Sequence, residues 1–230
     1  HYTAPKHKRE RAELVRRFQE IAIRFSVRIS ILGGDVHLAA MGRFYSAPKL
    51  GIPISRDHRY MVNIISSAIV NKPPPKAVAN LIAWSNKTHH LDTSTDEKMM
   101  KFFDKDPGAR KKTTRFNFIT MPRRNWTMLT ENCIPKDFSL GHGNLAPVMS
   151  TVISSQKKKQ TKNKSHCSWL HFGEIGAGTL HKAANVDQHG RGTDGGLDVC
   201  IRVEIDHHDI HGKTELYGMT IPPLDILDAC

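Results

Sequence analysis

An aspartate and a histidine two residues apart are the residues of this chain best suited to chemistry. They are Asp35 and His37 in "VRISILGGDVHLAA", positions 27–40, just after a run of β-branched residues breaks on Gly33 and Gly34. On a continuing strand the two side chains would share a face, and on a tight loop both can point into one pocket. A carboxylate oxygen beside an imidazole suits borderline or hard cations such as Fe, Mn, Zn or Ca, divalent or trivalent. The glycines permit positive φ and let a phosphate or metal approach the backbone. The same residues also make a plain Gly-Gly-Asp turn in which His37 packs or caps, since short motifs match by chance.

The elements around the pair decide where it sits. Positions 4–26 read as a helix with Leu14, Phe18, Ile21 and Phe25 in one apolar stripe. Positions 27–32 read as a short strand, so the two form half of an α/β unit. In such sheets ligands gather beyond the carboxyl ends of strands, which is where Gly33 to His37 falls. A second strand is expected over 60–65, and Pro73–Pro75 then lead into a helix over 76–84 with Ala77, Val78, Leu81 and Ile82 on one face. "TDEKMMKFF" reads as a short helix capped by Ser94 or Thr95, and "RFNFIT" as another strand. Positions 196–221 alternate strictly between apolar and polar residues around "HHDIHGK", which predicts a β-hairpin.

Composition bounds the function classes. With 39% apolar and 24% charged residues in 230, the chain can bury a core. No window approaches the roughly 18 apolar residues of a membrane span. The opening "HYTAPKHKRERAE" has neither an apolar signal core nor an initiator Met, so the chain reads as a piece of something longer. The expected location is intracellular, cytoplasmic or peripherally membrane-associated. A net charge of +12, gathered in "KHKRER", "ARKKTTR" and "KKKQTKNK", suits nucleic acid or an anionic membrane surface as well as ordinary solvated faces. Cys133, Cys167, Cys200 and Cys230 lie far apart and match neither a zinc pattern nor a disulfide framework.

Several longer stretches, in order, carry a family likeness. "ILGGDVHLAAMGRFYS", "DHRYMVNIISSAIVNKPPP", "WSNKTHHLDTSTDEKM" and "MPRRNW" together resemble the PhoD-like phosphatase domain, in the mainly fungal branch of the calcineurin-like metallophosphoesterases. The G-D-x-H element of that family's last metal-site loop is matched here by Gly34, Asp35, Val36 and His37, and the closing hairpin by "LDVCIRVEIDHHDIHGKTELYGMTIPPL".

The resemblance implies an α/β fold of the α+β sandwich type, with helices on a mixed sheet and a terminal hairpin. It also implies metal ions that acidify a water and stabilise the attacking and leaving oxygens of a phosphate-ester substrate. Asp35 would then be a metal ligand, and His37 a ligand or a phosphate contact. Ser66, Ser67, Arg124 and His1 would be candidates for contact with substrate.

The family's remaining ligand motifs, D-x-H, G-D-x-x-D and G-N-H, do not occur ahead of Gly33. The expectation is therefore the C-terminal part of a phosphatase domain (1–140), a flexible or divergent insertion (141–195) and a terminal hairpin returning to the same domain (196–230). Its partner would be the N-terminal half of that domain, and alone it would be inactive. The competing class is a basic α/β module or degenerate phosphatase that binds nucleic acid, anionic lipid or a protein.

Other candidates are weaker. "GEIGAGTL" lacks the Lys-Ser/Thr ending of a phosphate loop and reads as a turn. "HCSWLH" has no second Cys pair, "HHDIH" reads as a hairpin tip, and "DQHGRGTDGG" as flexible linker. In "PRRNW" an arginine and Trp126 could clamp a phosphorylated ligand, or Trp126 could pack on the sheet under an arginine stem.

Overall fold

Eight consecutive buried residues, Ala39–Ser46, form the strand around which one sheet is built. The computed structural model describes residues 7–34, 38–66, 69–70, 72–110, 117–133 and 176–226. Its elements are α1 (Lys8–Phe25), β1 (Ser30–Gly33), β2 (Ala39–Ser46), β3 (Met61–Ile65), α2 (Lys76–Trp84), β4 (His89–His90), β5 (Thr95–Met99), β6 (Thr120–Met121), β7 (Asn125–Glu131), β8 (Leu197–Glu204) and β9 (Thr214–Ile221).

The first sheet runs β1-β3-β2-β5-β4, with β6 also on β2. Within it β1 and β3 are parallel and the other pairs antiparallel. The second sheet is the antiparallel ribbon β7-β8-β9. One core joins them: Met41, Tyr45, Val62 and Ile64 of the first sheet pack with Val199, Ile201, Tyr217 and Met219 of the second, and Phe102 and Phe103 lie in the same cluster. This is the α+β sandwich expected from the sequence.

The hairpin over 197–221 and the helix over 76–84 form as expected, and the strand over 60–65 forms as Met61–Ile65. Other elements differ. The segment 95–99 is a strand, not a capped helix: its backbone pairs with Gly42–Ser46, and Arg11 of α1 ion-pairs with Glu97. Long-range pairing overrides a local preference for helix there. The strand expected in "RFNFIT" is confined to Thr120–Met121, because Asn117 turns the chain by accepting from the amides of Ile119 and Thr120.

In α1 the buried positions are Val15, Gln19 and Ala22, while Leu14, Ile21 and Phe25 of the anticipated stripe are exposed. Phe18 of that stripe packs with Val15 against Phe44 and Met61 of the sheet, and Gln19 donates to Thr95 Oγ1 at 3.2 Å.

Residues 176–195, read as part of a flexible insertion, pack on β8 and β9. Gly178 and Gly218 exchange backbone hydrogen bonds at 3.0 Å, and Ala183 and Ala184 of a short 3-10 turn are buried. Gly218 has room for no side chain, since a Cβ there would run into the backbone of Ala183 and Ala184. The carboxylate of Asp198 ties this segment down, accepting from Thr220 Oγ1 at 2.5 Å, Asn132 Nδ2 at 2.9 Å and Gly190 N–H at 2.9 Å. The rest of the insertion, 141–175, with its lysine run and "HCSWLH", lies outside the described residues.

Arg28, in the loop between α1 and β1, ties together segments at the other end of the sandwich. Its guanidinium donates to five backbone carbonyls: Ile54 at 2.6 Å, Asp57 at 2.5 Å, Tyr60 at 2.9 Å, Pro222 at 3.1 Å and Pro223 at 3.2 Å. It also lies 5.3 Å from the centroid of the Tyr60 ring. Burial pushes its pKa down to about 10, which still leaves it charged at neutral pH. Arg28→Ala strands these carbonyls and is expected to cost about 3 kcal/mol or more. Arg28→Lys is expected to recover only part of that, because an ammonium cannot reproduce the planar fork. Urea denaturation of the two variants checks both.

Acid is expected to weaken the fold in two steps. Burial, helped by the neighbouring Arg59 and Arg28, holds His58 below its ordinary 6.5. Burial and Lys182 do the same to His181. Both imidazoles are therefore neutral when folded and protonate more readily when unfolded, so stability is full above pH 6.5 and falls as pH drops below it. Burial alone would raise Asp198, but the hydrogen bonds from Thr220, Gly190 and Asn132 and the charge of Lys182 hold it below 3.8, which adds a second loss under that pH. Melting temperatures across pH 3 to 8 should show both steps, and His58→Gln with His181→Gln should flatten the upper one.

Candidate functional site

Parallel pairing brings the carboxyl ends of β1 and β3 side by side. Gly33 lies opposite Ile65 in register, and the amide of the next residue, Ser66, donates to Gly33 O at 3.2 Å. Beyond β1 the chain runs through Gly34 into Asp35–His37, and beyond β3 through Ser66 into Ser67. Asp35, His37, Ser67 and His1 lie outside the described residues, so the geometry of the site rests on the residues that flank them.

Gly33 is a glycine because of crowding rather than unusual backbone. Neither Gly33 nor Gly34 takes the positive φ that glycine permits. A Cβ on Gly33 would instead stand 2.9 Å from Asn63 Oδ1 on β3, while Gly34 faces open space. The strand therefore ends where the close approach to Asn63 stops.

Ser66 joins the two sheets at this end. Its hydroxyl donates to Asn125 Oδ1 at 2.9 Å, and Asn125 Nδ2 donates in turn to Arg123 O at 2.9 Å. Asn125 opens β7 and is buried. Beside this pair lies a cavity of about 540 Å³ between the sheets, walled by Leu32, Ile64, Ser66, Asn125, Thr127 and Leu129 among others. Its lining is mostly apolar, with the Ser66–Asn125 pair as its polar corner.

Arg124 and Trp126 divide the roles suggested by "PRRNW". The Arg124 guanidinium lies 3.5 Å from Glu204 Oε1 and its Nε is buried without a hydrogen-bond partner among the described residues, whereas the cavity wall is formed by its neighbours Asn125 and Trp126. Trp126 is partly exposed, and the arginine over its ring, 5.1 Å from the centroid, is Arg202 of β8. The cross-strand register places Arg202 opposite Trp126. Asn125 escapes a reading of the sequence because its partner Ser66 is 59 residues away and nothing local marks the pair.

Among the described residues no group of three His, Cys, Asp or Glu side chains is arranged to hold a metal ion. The described cysteines are free, Cys133 exposed and Cys200 buried, and burial raises the Cys200 thiol to about 11, so it is inert at neutral pH. The tip "HHDIH" joins β8 to β9, as expected.

A mixed α/β sandwich with a ligand-sized opening at parallel strand ends defines a class that comparison with known proteins makes specific. Residues 1–165 match the PhoD related phosphatase family, and the chain belongs to that family. It is also 31% identical over 251 aligned positions to the Uncharacterized protein YGR266W of Saccharomyces cerevisiae, an alignment that takes in 98% of this chain and 32% of the yeast protein. The chain thus spans about a third of the length of this curated relative. No solved structure matches it.

The Ser66–Asn125 bond is testable as a link between sheets. Ser66→Ala and Asn125→Ala are each expected to lower stability, and a double-mutant cycle by chemical denaturation should return a coupling of roughly 1 kcal/mol.

Proposed function

We propose that this chain forms the strand-end portion of a metal-dependent phosphatase that hydrolyses phosphate esters, with Asp35 as a metal ligand and His37 as a ligand or phosphate contact. Family membership supports a phosphatase-like function. The observation that carries the finer reading is the parallel β1/β3 pair: both strands end at one edge, Gly33 beside Ile65, and chain termini of this kind are where open sheets bind ligands.

Ser66 fits a positioning role in this reading. Its amide is bound to Gly33 O and its hydroxyl to Asn125, so it holds the end of β3 against the ends of β1 and β7. Ser67 follows it directly and is the better candidate to meet a phosphate oxygen. Arg124 would have to leave Glu204 to do so. His1 is assigned to substrate only through the family likeness.

Two donors do not make a phosphatase metal centre. We therefore assign the remaining ligands to other parts of a longer polypeptide, in keeping with a relative about three times as long. The apolar cavity between the edge strands β1 and β7 fits the same view, since it offers a face against which further chain can pack.

The test uses the complete polypeptide encoded with this chain. Asp35→Asn and His37→Ala should each lower kcat/KM for p-nitrophenyl phosphate by roughly 10²-fold or more while leaving the melting temperature unchanged. The 230-residue chain alone should show negligible hydrolysis at any divalent-metal concentration. Full activity in Asp35→Asn would reject the site. Robust metal-dependent turnover by the isolated chain would reject the incomplete ligand set.

A further inference from the structure

Helix α2 is mounted the wrong way round for a globular surface. The residue it buries is Ala79, whose carbonyl accepts from Asn117 Nδ2 and Thr120 Oγ1, each at 3.0 Å. Its large apolar side chains point outward: Leu81 is 65% exposed, Trp84 88%, and Val78 and Ile82 nearly half. Amphipathic helices on soluble domains turn that face to the core, and a cluster of this kind left in water marks a contact surface.

Charge indicates what the surface contacts. Between Asp57 and Asp92 the sequence contains no Asp or Glu, whereas Lys72 and Lys76 stand at the start of α2 and Lys87 just past its end. Lys101 lines the same shallow groove as Trp84. A short helix with Trp, Leu, Ile and Val outward, bracketed by lysines and free of acid, has the pattern of a segment that lies in the headgroup region of an anionic bilayer. Tryptophan and lysine both favour that boundary, the ring at the edge of the acyl layer and the ammonium among the headgroups. No helix among the described residues is long and apolar enough to cross a membrane, so the contact is a surface one.

We propose that α2 docks this chain on anionic lipid, inserting Leu81 and Trp84 between headgroups while Lys72, Lys76 and Lys87 meet lipid phosphates and carboxylates. The inference is independent of the phosphatase reading, since it uses none of that site's residues.

The experiment is vesicle co-sedimentation of the 230-residue chain with phosphatidylcholine alone and with phosphatidylcholine containing phosphatidylserine. Binding is expected only to the second, and should weaken as salt is raised. Leu81→Ser with Trp84→Ala should lower the partition coefficient at least ten-fold while the circular dichroism and melting temperature stay unchanged, because both residues are exposed. Trp84→Phe should keep binding but lose the quenching of tryptophan fluorescence by brominated acyl chains. No association with either vesicle overturns the proposal. So does association that survives the double substitution, which would move it to basic runs elsewhere, and so does concentration-dependent self-association abolished by that substitution, which would make a second copy the occupant.

Discussion

One guanidinium ties together one end of this sandwich. Arg28 gathers carbonyls from the segment ahead of β3 (Ile54, Asp57, Tyr60) and from the segment that follows β9 (Pro222, Pro223). Those carbonyls have turned away from the sheet ladders, and a buried carbonyl without a donor is costly. A single planar donor set satisfies them together, so the entry to β1, the entry to β3 and the exit from β9 are positioned by the same group. The consequence reaches the far end of the strands. Because β1 leaves Arg28 directly and β3 begins at the residue after Tyr60, the register that sets Gly33 beside Ile65 is pinned from the end opposite the candidate site.

A second constraint reinforces that register. Asp57 is fully buried and accepts from Ser46 N–H at 2.8 Å, Ser46 Oγ at 2.7 Å and Arg59 N–H at 2.9 Å. It thereby locks the end of β2 to the turn before β3, the same turn whose carbonyls Arg28 holds. At the other end the Ser66–Asn125 pair links the sheets beside a cavity. Both ends of the sandwich border a cavity, of about 380 Å³ beside Arg28 and about 540 Å³ beside Ser66, and the second is the one that adjoins the parallel strand ends where open sheets bind ligands.

What the sequence disclosed follows from how local each signal is. The β8–β9 hairpin was plain because Val199, Ile201 and Val203 alternate with polar neighbours, and α2 because three prolines announce its start. Strand β2 gives no such sign: "AAMGRFYS" is buried on both faces, so its apolar and polar residues do not alternate. Strand β5 resembled a helix start, and only its pairing with β2 and its contacts with α1 make it extended. At the site, Gly33 and Ser66 were legible from their place after strands. Asn125, by contrast, depends on the packing of one sheet on another, which no local pattern encodes.

The two helices share a design that periodicity alone misreads. In α1 the fully buried positions are Val15, Gln19 and Ala22, with Phe18 packed beside them, and in α2 Ala79, while Leu14, Ile21 and Phe25 of α1 and Leu81 and Trp84 of α2 are exposed. Small residues let a helix approach a sheet closely, so a stripe of large residues need not be the buried one. The outward faces then differ in electrostatics. Along α1 the exposed Leu14 and Ile21 are interleaved with Glu10, Glu13 and Glu20 as well as arginines, a mixed surface that opposes neither charge. Along α2 every charged neighbour in sequence from Lys72 to Lys87 is a lysine. A protein partner could cover either face, but only the second combines exposed aromatic and aliphatic bulk with unopposed positive charge. That combination favours an anionic interface over an apolar protein groove, because the lysines flanking α2 then gain partners at the same moment as Leu81 and Trp84 leave water.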